Sequence, residues 1–213
     1  MAQAFVLETV FRLGEDDVAE VVDVLCEAFF DYPVMCFVLD GDTDADIEDY
    51  EQRLKTLIHF FVEARVLRGE VMLGIGRRER LHGAAPVSRP SGPPSPPEVG
   101  ELRECVWADL GSPARARYDS FSVACAPFEV ETPHIHLHMI GVRREAKGKG
   151  VGRRLIEHVR LMSREDPDSQ GVTLTTEDEG NVSLYQHFGY EIVGHATVGW
   201  ELRTWGVFRP DDS

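Results

Sequence analysis

The chain has 213 residues with 43% hydrophobic side chains, enough to bury one sizeable core, or one core carrying an insertion. Its 22 Lys and Arg stand against 37 Asp and Glu, a net charge of −15, which disfavours a nucleic-acid surface and favours cationic or neutral partners. No apolar run is long enough to span a bilayer, the opening "MAQAFVLETVFRL" lacks the basic start and small-residue cleavage site of a secretory signal, and the four cysteines form no CxxC pair. These features exclude a disulfide framework or zinc knuckle as expectations and point to a cytoplasmic protein without a membrane partner.

In chain order, residues 5–11 alternate weakly and predict a first strand. The acidic run Gly14, Glu15, Asp16, Asp17 then opens a helix on which Val18, Val21, Val22 and Leu25 recur at helical spacing, ending near Phe30. "FFDYPVMCFVLDGD", interrupted by Pro33, reads as a loop rich in aromatic and apolar side chains that could floor a pocket or belong to the core. From Asp46 to Leu67, the residues Tyr50, Leu54, Leu57, Ile58, Phe61 and Val62 mark an amphipathic helix stopped by Gly69. Residues 71–76 and 81–87 form a predicted hairpin around "RRER".

Six prolines between Pro86 and Pro97 cannot continue a ladder, so residues 86–100 read as an exposed insertion. A helix over 114–124 follows, with a poor pattern. His136 to Val142 is a predicted strand, Gly150 to Arg164 a helix with Val151, Leu155, Val159 and Met162 on one face, and Val172 to Thr176 a strand. Strand, helix, strand in this order predicts a right-handed parallel crossover. Asn181 opens a short helix that Gly189 ends, and "YEIVGHATV" and "ELRTWGVF" make two closing antiparallel strands.

The run "KGKGVG" lies between a strand and a helix. Glycines there permit a tight turn that aims several N–H groups at one ligand, the helix adds the positive end of its dipole, and Lys147, Lys149, Arg153 and Arg154 add charge. A pyrophosphate suits such a cradle. No GxxxxGK[ST] run is present, nor a GxGxxG followed by an acidic residue at the end of the next strand, so neither a P-loop nor a dinucleotide-binding Rossmann site fits.

These residues resemble the GNAT superfamily of acetyl-CoA-dependent N-acetyltransferases. The family's cofactor motif, [QR]-x-x-G-x-[GA] at a helix start, is matched by Lys147, Gly150 and Gly152, with lysine in place of glutamine or arginine. A second signature, an asparagine, a tyrosine four residues later and a phenylalanine-glycine-aromatic turn, is matched by Asn181, Tyr185 and "FGY" at 188–190. The resemblance spans about residues 15–200 and is strongest over 134–195.

What it implies is an α/β fold with a GNAT-like mixed, mostly antiparallel sheet, a splayed parallel strand pair and flanking helices, built as one domain over residues 1–213. It further implies acetyl-CoA as cosubstrate, held by Ile140, Gly141 and Val142, by Lys147, Gly148, Lys149, Gly150, Val151, Gly152 and Arg153, and by Asn181 and Tyr185. The acetyl group would pass directly to a primary amine in a ternary complex, since no cysteine or serine stands in a nucleophile motif. Tyr185 is the candidate general acid for the departing thiolate, the amide at about Ile140 the candidate oxyanion donor, and Asn181 both a helix cap and a partner for the pantetheine arm. Glu177, at the end of the second parallel strand, is the candidate base; a solvated loop acid is its plainer alternative. Phe29, Tyr32, His136 and His138 are candidate acceptor contacts, with help from "TWGVF". A small-molecule or peptide amine is the expected partner, with no nucleic acid and a monomer or homodimer as the assembly.

His134, His136 and His138 alternate, so a regular strand places them on one face about 6.6 Å apart. Three ligands in line cannot close a zinc tetrahedron without further residues, and none lies nearby in sequence, so no metal is expected and the histidines read as a pocket wall, a proton relay or satisfied core residues. Two alternatives stay open: a non-catalytic acyl-CoA-binding sensor, and a metal-binding protein built on the histidine strand.

Overall fold

The computed structural model describes residues 9–40, 47–199 and 201–212. Its elements are β1 (Val10–Leu13), a 3-10 turn (Glu15–Asp17), α1 (Val18–Phe29), α2 (Pro33–Leu39), α3 (Ile47–Leu67), β2 (Val71–Arg77), β3 (Arg80–Ser88), α4 (Pro97–Leu110), α5 (Ser112–Cys125), β4 (Ile135–Leu137), β5 (Gly141–Val142), α6 (Val151–Glu165), β6 (Gly171–Thr176), α7 (Glu179–His187), β7 (Glu191–Val198) and β8 (Leu202–Pro210). One eight-stranded sheet runs in the order β1-β2-β3-β4-β6-β8-β7, with β5 also paired to β3. Every pairing is antiparallel except β4 with β6. The expected mixed sheet, the parallel pair and the closing hairpin are therefore present.

Alternation along the strands feeds two cores, one on each face of the sheet. On β2 and β3, Met72, Leu81 and Ala84 pack with α1 to α5, whereas Leu73, Ile75, Ala85 and Val87 pack on α6 and α7. The α6 face is carried by Val151, Leu155, Ile156, Val159 and Met162, all buried. A helix with an apolar stripe of this width needs a sheet to cover it, and the crossover supplies one.

Four expectations are corrected. The first strand begins at Val10, and residues 5–8 of the predicted 5–11 lie outside the described residues, as does Asp46 at the predicted start of α3. The aromatic stretch after Phe30 is not a loop throughout: Pro33 occupies the first turn of α2, where its missing N–H costs nothing and its fixed φ favours the helix. The proline-rich insertion is shorter than 86–100, because Pro86 and Val87 remain in β3 and Pro97 begins α4 for the same reason Pro33 begins α2.

The fourth correction positions the site. His136 to Val142 is not one strand. Leu137 pairs with Val87 and Gly141 with Ala84, so three residues, 138–140, face only two, 85 and 86, on β3. This extra residue is a bulge, which bends the strand and takes it out of the ladder. Beyond Ile135↔Val172 and His136↔Thr173 the parallel pair has no further register partners. The sheet opens there.

Candidate functional site

A cavity of about 890 Å³ occupies the opening. The bulge residues His138, Met139 and Ile140 line it from one strand, Leu174, Thr175 and Glu177 from the other, and α1, α2, α3, α5, α6 and α7 close its ends. It gathers most of the residues singled out in the sequence: Phe29, Tyr32, His136, His138, Ile140, Val142, Lys147, Gly148, Gly150, Val151, Gly152, Arg153, Glu177, Asn181 and Tyr185. Gly141 and Lys149 are not on its wall. Gly141 serves packing instead, since a Cβ there would lie 2.8 Å from Leu25 Cδ2 and 3.1 Å from Ala28 Cβ; its bareness lets α1 lie against the strand.

The cradle has the conformation its glycines predict. Gly148 and Gly150 have φ of +75° and +77°, a region that L side chains adopt only at a cost, and Gly150 is the N-cap of α6. Nothing lies within 4 Å of where their Cβ atoms would be, so the turn presents an open backbone face at the positive end of a 15-residue helix. Lys147 and Arg153 flank it, Arg153 being tied to Glu157 by a 2.7 Å hydrogen bond. An anionic pyrophosphate with an extended arm fits this combination of exposed N–H groups, helix end and adjoining cavity.

Across the cavity stand a carboxylate and a phenol. Glu177 is only 8% exposed, and burial pushes its carboxyl up from 4.5 to about 7, partly offset by hydrogen bonds from Thr204 and Tyr32. Thr204 Oγ1 donates to Glu177 Oε1 at 2.8 Å, while the Glu177 N–H donates to the Tyr32 hydroxyl at 3.1 Å, and that hydroxyl lies 3.0 Å from Thr176 Oγ1. The carboxylate is thus held from β8 and from the start of α2. Tyr185 is buried on α7 with its ring 5.6 Å edge-on to Tyr190, and burial, with Glu177 and Asp178 nearby, pushes its hydroxyl well above the usual phenol range. A group so placed keeps its proton at neutral pH until an anion forms beside it. The cap of α7 is Asp178, whose Oδ1 accepts from Gly180 N at 2.8 Å; Asn181 lies in the first turn and faces the cavity, so the capping role expected of Asn181 belongs to Asp178.

The histidines form part of the wall. His136 and His138 have ring centroids 4.5 Å apart, whereas His134 packs toward Phe208 and binds Thr132 O through Nδ1 at 2.6 Å. Burial lowers His136 to about 4 and holds His138 well below the usual imidazole range, so both are uncharged at neutral pH and are weaker bases than Glu177. Arg65 donates to His138 Nε2 at 2.7 Å and to Glu70 at 2.9 Å, occupying the lone pair a metal would use. Among the described residues no group of three or more His, Cys, Asp or Glu is placed to hold a metal ion.

Several wall residues had no sequence signal of their own. Phe61 and Arg65 from α3, with Tyr118 and Phe121 from α5, line the cavity, yet in the sequence they are merely members of helical stripes. Thr204 acts through Glu177, and the rest of "TWGVF" does not reach the cavity wall. Among the described residues no helix is long and apolar enough to cross a membrane.

Comparison with known proteins adds to this geometry. Residues 114–192 match the family model of the acetyltransferase (GNAT) domain. Over 75 residues the chain is 32% identical to the 5-NmdU N-acetyltransferase of Pseudomonas phage PaMx11, covering 35% of this chain and 52% of that protein, so it spans about half the length of the curated relative. It also resembles the solved structure of a histone acetyltransferase HPA2-related acetyltransferase from Corynebacterium glutamicum, with a TM-score of 0.68 at 19% identity over 95% of this chain and 96% of that one. A polyamine N-acetyltransferase of Drosophila melanogaster that forms N-acetylagmatine gives a TM-score of 0.54 at 14% identity over 94% and 98%. At such identities the two structural likenesses show a common fold.

Proposed function

We propose that the chain, whose residues 114–192 match the family model of the acetyltransferase (GNAT) domain, is an N-acetyltransferase moving an acetyl group from acetyl-CoA to a primary amine by direct attack in a ternary complex. The observation that supports this most is the single cavity joining the glycine cradle of α6 to Glu177 and Tyr185. The whole chain would act as one domain in the cytoplasm, on a small-molecule or peptide amine.

In this mechanism acetyl-CoA, when bound, supplies an acetyl group activated as a thioester and a thiolate that can leave. Gly148, Gly150, Val151 and Gly152 would hold the pyrophosphate through backbone N–H groups, with Lys147 and Arg153 at its flanks and Asn181 beside the arm. An amine is mostly protonated at neutral pH, and Glu177, raised to about 7, can take its proton: it is a stronger base than an ordinary carboxylate and is still ionised in about half of the molecules at that pH. The nitrogen then forms the new N–C bond, the amide near Ile140 stabilises the charge on the carbonyl oxygen, and the C–S bond breaks. Tyr185 gives its hydroxyl proton to the departing thiolate, the second proton shed by the nitrogen as the amide forms replaces it through solvent, and Glu177 releases the proton it took to water. Thr204 and Tyr32 keep the Glu177 carboxylate in place for its task.

Calorimetric titration of acetyl-CoA into the purified chain tests the first half, and thiol release with a panel of primary amines tests the second. One-to-one binding in the micromolar range is expected; a folded sample that binds nothing overturns the proposal.

A further inference from the structure

The acceptor side of the cavity has a composition that restricts what can enter. Five aromatic rings from four helices line it: Phe29 at the end of α1, Tyr32 at the start of α2, Phe61 on α3, and Tyr118 and Phe121 on α5. Phe29 and Tyr32 are 4.8 Å apart edge-on, and Phe61 and Tyr118 are 6.0 Å apart and tilted, so four of the five rings form two close pairs. Met35, Val38 and Leu57 also line the cavity.

Charge is distributed along the same space with one sign at each end. At the Tyr32 end sits Glu177, whose amide is bonded to the Tyr32 hydroxyl. At the Phe61 end sits Arg65, one helical turn along α3, with its guanidinium on His138 and Glu70. Of the other carboxylates on the wall, Asp31 is exposed to solvent, and Asp178 caps α7. An ammonium group is therefore welcome at Glu177 and nowhere further in.

Resting on the acetyltransferase proposal, we propose that the acceptor is a primary monoamine on an aromatic body, its nitrogen at Glu177 and its ring among Phe29, Phe61, Tyr118 and Phe121. A second ammonium on a polyamine would have to lie between aromatic rings and the Arg65 guanidinium, with loss of its hydration and no carboxylate to meet it. Aromatic side chains instead favour a ring in edge-on or offset contact. This selection is made by α3 and α5, elements that carry none of the cradle's own signatures.

The test compares 2-phenylethylamine with spermidine and agmatine on the intact chain, reading thiol release, alongside calorimetric binding of acetyl-CoA and of each amine to the acetyl-CoA-free protein. The expected result is a kcat/KM for 2-phenylethylamine at least tenfold above that for either polycation. Phe61→Leu, which keeps the volume and loses the ring, should raise KM for 2-phenylethylamine several-fold with acetyl-CoA affinity unchanged. Preference for spermidine or agmatine, or equal rates, overturns the aromatic assignment while leaving the enzyme intact. Acetyl-CoA binding with no turnover of any of the three amines also overturns it. Absence of acetyl-CoA binding in folded protein removes the acetyltransferase proposal itself and this inference with it.

Discussion

The two ends of the cavity are made of different material. The cradle end is backbone: two glycines with positive φ and the first N–H groups of α6, with charged side chains only at its edge. The acceptor end is side chain: rings from α1, α2, α3 and α5, a carboxylate from the end of β6, and a hydroxyl from β8 that orients it. A backbone site recognises a chemical group common to many ligands and tolerates change in its side chains. A side-chain site recognises a particular shape, and each member has a separate and larger effect.

Substitutions at the two ends should therefore differ in size and in what they change. The largest effect is expected from Tyr185→Phe, which removes the donor without altering the packing on Tyr190: kcat should fall by roughly 10²- to 10³-fold with the dissociation constant for acetyl-CoA within about twofold, as read by thiol release and calorimetry. A non-catalytic binder would have no turnover to lose.

Next comes Glu177→Gln, expected to lower kcat/KM by about 10²-fold near pH 7 and to flatten the acid limb of the pH profile. In the wild type that limb should rise with a midpoint at about 7, since the carboxylate is the working form. Stability should move the opposite way. A carboxyl raised from 4.5 to about 7 on folding favours the folded state below its unfolded value and loses that contribution as pH rises through 7, at most about 3 kcal/mol. The Gln variant should thus melt above the wild type at pH 8 and level with it below pH 5, and thermal melts whose difference does not change with pH would mean Glu177 is not buried as a carboxylate.

Thr204→Val should act more gently and only through Glu177. Loss of the 2.8 Å hydrogen bond removes a stabiliser of the charged form, so the acid limb should move to higher pH, with Thr204→Ser restoring it. A fall in rate without a shift in the profile would give Thr204 a merely structural part.

At the backbone end the effect should be smallest. Lys147→Glu reverses an exposed charge and should weaken acetyl-CoA binding by about three- to tenfold at low salt, the difference narrowing at high salt as screening takes over. An equal loss at all salt concentrations would mean that Lys147 makes a direct, desolvated contact.

The same contrast explains how much could be read in advance. "KGKGVG", "NVSLYQHFGY" and the crossover between β4 and β6 were legible because each is a short-range feature: glycine conformations, a helix start and a 3.6-residue stripe are written in neighbouring residues. The break of the histidine strand at 138–140 was not legible, because a bulge depends on the register with β3, about fifty positions away. α2 and α4 are not legible in the sequence, because a proline that interrupts one pattern can equally occupy the first turn of a helix, as Pro33 and Pro97 do. Asp178 displaced Asn181 as the cap because its extended backbone, three residues earlier, brings Oδ1 to the Gly180 amide.

By itself, then, the sequence determined the fold class, the crossover, the cradle and the identities of Glu177 and Tyr185 as candidates. Only the tertiary structure decided that Glu177 is buried and held by Thr204 and Tyr32, that Arg65 sits on His138, and that Phe61, Tyr118 and Phe121 share a wall with Phe29. Local patterns are set by bonded neighbours, whereas burial, and with it the proton affinity of a carboxylate, depends on which distant helices come to lie over it.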